Sequence, residues 1–234
     1  MKVLITNDDS INYIGLKILA QAAVDFGFEV MIIAPHEEKS ACSHSITLRK
    51  NIRLYQHEEI INGVKTYSID GTPADCVKFA KKALNFDFDL VLSGINNGYN
   101  LADDICYSGT ASAALQAELI GKKGIAFSTE PNNLEGCIYL KDVITFIFDT
   151  KFLDKTDVLN VNIPPKALGI KISKQGKRSY NSKYIEIEKN IYTSVNIDDN
   201  CRFIEKDSDD LSDYRVVDNN YISISMLSAY MNIK

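Results

Sequence analysis

The 234-residue sequence has no tryptophan, only three histidines and no C-x-x-C pair. Its five cysteines (Cys42, Cys76, Cys106, Cys137 and Cys201) are odd in number and widely spaced. These gaps argue against a disulfide framework and a zinc knuckle, and they favour a reducing, cytoplasmic setting. Long apolar runs are missing as well: none approaches the roughly 20 residues that a membrane-spanning helix needs. No basic segment with a longer apolar stretch precedes Val3-Leu4-Ile5, so neither a signal peptide nor a membrane partner is expected. Excess positive charge is also absent. Lys and Arg number 26 against 31 Asp and Glu, a formal net charge of −5, which argues against a nucleic-acid polymer as partner. A small phosphorylated molecule stays possible, because one bound cation reverses the local field.

What is present is the material for a core: 45% of residues are hydrophobic and 24% charged, close to the globular average. Short, continuous apolar runs alternate with amphipathic stretches. Val3-Leu4-Ile5 reads as a buried strand. Leu16, Leu19, Ala23 and Phe26 then mark one helical face, stopped at Gly27, and Val30 to Ala34 form the next strand. Thr72-Pro73-Ala74-Asp75 carries an N-cap, a first-turn proline and an acidic capping-box residue, followed by a face at Val77, Ala80 and Leu84. Strands at Leu90-Val91-Leu92, Ile125-Ala126-Phe127 and 158–163 alternate with helices at 108–120 and 134–148. Apolar strands separated by helices predict a doubly wound, Rossmann-like α/β fold with a mostly parallel sheet. Ile46, Leu48, Ile52 and Leu54, then Val64, Tyr67 and Ile69, predict an antiparallel excursion around Asn62-Gly63. From about Ser179 the chain turns polar and Tyr-rich, which sets a catalytic unit at 1–178 and an oligomerisation arm at 179–234. Within the arm Tyr221 to Ser225 alternates as a strand, and a short amphipathic tail follows.

Ligands of such sheets bind beyond the carboxyl ends of the strands. The first strand runs into Asp8-Asp9, where a dinucleotide-binding chain would carry its glycine fingerprint. Two carboxylates there repel a phosphate unless a cation sits between them. The alternative is an Asx turn plus helix cap, which accounts for one Asp more easily than for two. Surrounding donors are carboxylate, amide and hydroxyl oxygens, a set that suits Mg²⁺ or Mn²⁺ rather than Zn²⁺. None of His36, His44 and His57 has metal-ligand spacing, and each is expected in a solvated loop, the first two facing the crevice. Tyr107-Ser108-Gly109-Thr110 opens a helix, whose free N–H groups form either a ready anion site or simply a capped terminus.

Taken together, Thr6-Asn7-Asp8-Asp9, Ala34-Pro35 with Ser40, Gly71 to Val77, Ser93 to Leu101 and Tyr107 to Thr110 resemble, in order and spacing, the SurE (survival protein E) family. Leu159 to Pro164 and Asp213 to Leu227 extend the resemblance over essentially the whole chain. It implies a 5′/3′-nucleotidase, with polyphosphate as a further substrate. It also implies one divalent cation, Mg²⁺ or Mn²⁺, on Asp8, Asp9, Ser40 and Asn96. By the same resemblance Asn100, Ser108, Gly109 and Thr110 hold the substrate phosphate, and C-terminal arms are exchanged in a homodimer or homotetramer. The substrates implied are nucleoside monophosphates. Attack by water with Asp8 as base, or by Asp8 itself, both remain open. The chain departs from the family pattern at Ser10 and Ala41, where Gly is usual, at Tyr13-Ile14, where Ala-Pro is typical, and at His44, where Asn is frequent. A receiver-type signalling domain would need an acceptor Asp after the Leu90 strand, which ends in Ser-Gly-Ile-Asn instead. A haloacid-dehalogenase-type phosphatase would need D-x-D.

Overall fold

The computed structural model describes residues 1–197, 203–206 and 209–230. Cys201 and the last part of the expected amphipathic tail, 231–234, lie outside the described residues.

The apolar runs become β1 (Lys2–Thr6), β2 (Glu29–Pro35), β3 (Leu54–His57), β4 (Thr66–Ile69), β5 (Leu90–Asn97), β6 (Lys123–Thr129) and β7 (Val158–Ile163). After them come β8 (Ile170–Ser173), β9 (Arg178–Tyr180), β10 (Ser182–Glu188), β11 (Ile191–Asn196), β12 (Phe203–Glu205) and β13 (Ile222–Leu227). One nine-stranded sheet has the order β3-β4-β2-β1-β5-β6-β7-β13-β8. Its six strands from β4 to β7 are mutually parallel. β3 pairs antiparallel with β4, and β13 antiparallel with β7. The chain winds outward from β1 in one direction, then crosses back to β5 and winds in the other. β1 and β5 therefore flank the topological switch point, where the loops after neighbouring strands diverge and leave a crevice.

Helices α1 (Ile14–Asp25), α2 (Pro73–Lys82), α3 (Gly109–Leu119), α4 (Leu140–Asp149) and the short α5 (Asp213–Asp218) complete the fold. Leu16, Leu19 and Ala23 of α1 pack with Val143, Ile144 and Ile147 of α4 on one side of the sheet. Cys76, Val77 and Ala80 of α2 pack with Ala113 and Ala117 of α3 on the other. Both faces are covered, which is why Val3, Leu4 and Ile5 are all fully buried. The α2 capping box forms as its residues predict. Thr72 Oγ1 accepts from Asp75 N at 3.1 Å, and Asp75 Oδ2 accepts from Thr72 N at 3.1 Å, a cap worth about 1 kcal/mol.

Two local expectations are corrected. The antiparallel excursion starts only at Leu54, because the Asp75 carboxylate takes the Thr47 amide at 3.0 and 3.1 Å and holds that stretch away from the sheet. The helix expected over 134–148 opens as a 3-10 turn, Glu135–Tyr139, before becoming α4. Beyond residue 178, β10 and β11 pair as a hairpin with its strand residues almost all exposed, whereas β13 lies within the main sheet between β7 and β8.

Candidate functional site

β1 delivers Asp8 and Asp9 directly into the switch-point crevice. The backbone stays low behind them because Asn7 Nδ2 donates to Ser10 O at 2.8 Å, and Ser10 itself takes a left-handed φ of 84°. From the other side of the switch point, β5 breaks register between Ser93 and Asn96. Gly94 permits this, since a Cβ there would sit 2.3 Å from Phe127 O and its φ is 128°. A bulge beside a site re-aims the residues after it, and here it turns Asn96 and Asn97 toward β1. Asn97 N then donates to Asp9 Oδ2 at 3.0 Å.

The β2 loop supplies the third wall. Lys39 N donates to Asp8 O at 2.7 Å and Ser43 N to Tyr107 O at 2.9 Å, which pins Ser40 between two anchors. Ser40 Oγ donates to Glu38 Oε1 at 2.5 Å. The result is a cleft of about 240 Å³ whose walls include Asp8, Asp9, Ser40, Asn96, Asn100 and Ser108. Six of the eight residues expected at the site therefore meet in one space.

Gly109 and Thr110 do not line that cleft; they lie behind Asp8. Thr110 Oγ1 donates to Asp8 Oδ1, and Thr110 N donates to Asp8 Oδ2 at 3.1 Å. A Cβ on Gly109 would meet Asp8 Cβ at 2.8 Å. The positive end of α3 is thus directed at a carboxylate of the protein itself. Ser108 Oγ caps the same helix by accepting from Ala111 N at 3.0 Å, which leaves its O–H to donate into the cleft. Asn100 is fixed from below: its N–H donates to Asn162 Oδ1 at 2.8 Å, and its carbonyl accepts from Asn160 and Asn162 at 2.9 and 3.1 Å. Its side-chain amide donates to Ser128 Oγ at 2.9 Å. The polar residues alternating along β7 are a seat for this one asparagine.

The electrostatics favour a positively charged guest. Asp8 is 5% exposed, and burial raises its carboxyl despite the Thr110 bonds that pull it down. Asp9 is pushed up to about 7, first by burial and then by the charge of Asp8; the Asn97 amide lowers it and Glu38 raises it further. Among the described residues, no Lys or Arg forms an ion pair with either aspartate. No group of three or more His, Cys, Asp and Glu capable of holding a metal occurs among them either. Two carboxylates completed by hydroxyl and amide oxygens form a donor set that fits a small hard cation keeping part of its water shell.

Tyr99 and Tyr107, both within the motifs read from the sequence, also line the cleft, and so do three residues that were not legible beforehand: Glu38, Asp104 and Tyr180. Glu38 precedes Ser40 by two positions and looks like Glu37 in sequence. Tyr180 arrives from a distant strand and carries no motif. The histidines stand apart from the cleft and are not simply solvated. His36 Nδ1 and His57 Nε2 both hydrogen-bond Ser68 Oγ, at 3.0 and 2.7 Å, and His44 Nε2 meets Gln116 Oε1 at 3.1 Å.

Comparison with known proteins identifies the family of the chain. The profile of the family described as "Survival protein SurE" matches residues 3–182. The 5′-nucleotidase SurE of Clostridium botulinum (strain Alaska E43 / Type E3) is 38% identical over 227 residues, covering 90% of this chain and 88% of its own. Its counterpart from Kosmotoga olearia is 37% identical over 241 residues, with 99% and 93% covered. The crystal structure of the SurE protein from Aquifex aeolicus matches with a TM-score of 0.81 at 31% identity, covering 99% of this chain and 95% of that one.

Proposed function

The chain belongs to the SurE family and is a phosphoric monoester hydrolase of the 5′-nucleotidase type, and we propose that it cleaves nucleoside 5′-monophosphates with the help of one divalent cation. The observation that carries this reading is the convergence of Asp8, Asp9, Ser40 and Asn96 on one cleft beside Asn100 and Ser108. These four oxygen donors would hold Mg²⁺ or Mn²⁺. When bound, such an ion neutralises phosphate charge and stabilises the oxyanions that develop during transfer.

The protein's own groups have distinct tasks. Thr110 fixes the Asp8 carboxylate through both of its oxygens, which disfavours Asp8 as a nucleophile that must swing toward phosphorus. Water is then the attacking group. Asp9 commits one oxygen to Asn97 N and faces the cleft with the other, so it is the better placed of the two to take the water's proton. The Ser108 hydroxyl and the Asn100 amide hold the remaining phosphate oxygens; Gly109 and Thr110 contribute by positioning Asp8. Because recognition centres on the phosphate, 3′-monophosphates and short polyphosphates are further substrates at the same cleft.

The exposed β10–β11 hairpin carries Ile185, Ile187 and Ile191 on its surface, which supports arm exchange in a homodimer or homotetramer. No helix of the described residues is long and apolar enough to cross a membrane. Cys42, Cys76, Cys106 and Cys137 are all free, in keeping with a reducing cytoplasm.

The test is phosphate release from 5′- and 3′-nucleoside monophosphates and polyphosphate, run with Mg²⁺, Mn²⁺ and chelator. Release from the 5′-nucleotides that stops with chelator supports the reading. Absence of release from a folded, metal-supplemented protein sinks it.

A further inference from the structure

Beside the phosphate cleft lies a larger cavity, about 690 Å³, between the β10–β11 hairpin and the segment that leads into α3. The two spaces share Tyr107 and Tyr180 as lining residues, so they adjoin. The hairpin register explains its other wall. Ser182 pairs with Asn196 and Tyr184 with Ser194, and directly opposed residues of an antiparallel pair project to the same face. All four line the cavity. One face of the hairpin is therefore a patch of one aromatic ring, two hydroxyls and an amide, turned into the cavity that adjoins the phosphate cleft.

We propose that this cavity is the nucleoside subsite, in which Tyr184 stacks on the base and Ser182, Ser194 and Asn196 hydrogen-bond the ribose and base edge. The assignment rests on the nucleotidase reading above and adds to it the residues that recognise the uncharged part of the substrate. A phosphomonoester held at Ser108 and Asn100 must extend outward, and the neighbouring space on the far side of Tyr107 and Tyr180 is this cavity. The volume lies within the usual range for small-molecule pockets. Among the described residues no Lys or Arg lines the space, which disfavours a second phosphate in it. Tyr184 is 76% exposed, so packing does not explain its ring, and a ring left open in this way suits a base, whose π-face stacks on it without regard to sequence.

The experiment compares Tyr184→Ala and Tyr184→Phe with the native enzyme on adenosine 5′-monophosphate and on ribose 5-phosphate, which lacks the base. Binding of free adenosine is followed in parallel by calorimetry. The expected result is a loss of about tenfold in kcat/KM for the nucleotide with Tyr184→Ala, carried mainly by KM and several times larger than the loss for ribose 5-phosphate. Tyr184→Phe retains the nucleotide preference, and adenosine binding weakens only in the alanine variant. Equal losses on both substrates, or adenosine binding indifferent to Tyr184→Ala, overturn the subsite. If the native protein binds adenosine through Tyr184 yet releases no phosphate, the nucleotidase reading fails and the subsite stands.

Discussion

Thr110 grips Asp8 twice, its hydroxyl donating to one carboxylate oxygen and its backbone amide to the other, the latter at 3.1 Å. This places the N-terminus of α3 behind the carboxylate rather than in the cleft, and makes Thr110 a positioning residue. Groups that orient metal-binding side chains typically change affinity by about 10–100-fold when removed. Thr110→Val, close in volume but without the hydroxyl, is therefore predicted to weaken Mn²⁺ binding within that range, and Thr110→Ser to restore most of it. Calorimetric titration of the three proteins checks this; unchanged affinity in the valine variant would remove the role assigned to the hydroxyl.

Gly109 sits where any side chain would press on the same carboxylate. A Cβ would lie 2.8 Å from Asp8 Cβ and 3.0 Å from Cys42 Sγ. Gly to Ala ordinarily helps a helix, but here the neighbour is an anchored side chain, and overpacking costs about 1–3 kcal/mol. Gly109→Ala is predicted to lower both denaturation midpoint and kcat/KM. A stabilised, fully active variant would contradict the close packing of α3 on β1.

Ser10 and Ala41 carry φ values of 84° and 52°, in the region where a non-glycine residue costs about 1–2 kcal/mol. They are also two positions where the sequence departs from its family's glycines. Ser10→Gly and Ala41→Gly should each stabilise by about 0.5–1 kcal/mol after the extra unfolded-state entropy of glycine is counted, raising Tm by about 1–4 °C. Thermal denaturation decides this, and a fall in Tm would mean that the serine hydroxyl or alanine methyl makes a compensating contact.

The raised carboxyl of Asp9, at about 7 against an ordinary 3.8, sets a pH dependence. Between those two values the folded, metal-free protein binds more protons than the unfolded chain, so its stability falls as pH rises through that window. Asp8 is shifted in the same direction by burial. A cation must displace these protons, so its stabilising effect should grow with pH. The gain in Tm on adding Mg²⁺ is predicted to be larger at pH 8 than at pH 6; a gain independent of pH would argue against cation binding at this pair.

The parts of the molecule written in short-range chemistry were legible in the sequence. Strand β1 with Asp8-Asp9 behind it, the capping box of α2 and the small-residue helix α3 follow from periodicity and end signals, and a ligand crevice beyond the carboxyl ends of the strands follows from the fold class. Relationships set by distant packing were not legible. Nothing in the spacing of His36 and His57 announces that Ser68 joins them. The alternation in β13 suggests one solvated face, yet Ser223 and Ser225 are fully buried, and Ser223 meets Ser173 Oγ at 2.7 Å. Glycines show the same limit: a Cβ on Gly136 would lie 2.8 Å from Ile163 O, a contact across the fold beside the turn where the helix predicted over 134–148 gives way to 3-10 geometry.

The central claim is that Asp8 and Asp9 hold a cation on which phosphoester cleavage depends. The most direct measurement titrates Mn²⁺ into the native protein and Asp9→Asn while phosphate release from adenosine 5′-monophosphate is followed in the same samples. The account predicts one ion bound per subunit, activity rising in step with occupancy, and loss of both in the variant. Full activity in the presence of chelator, or an Asp9→Asn protein that no longer binds the ion yet still releases phosphate at the native rate, would contradict it.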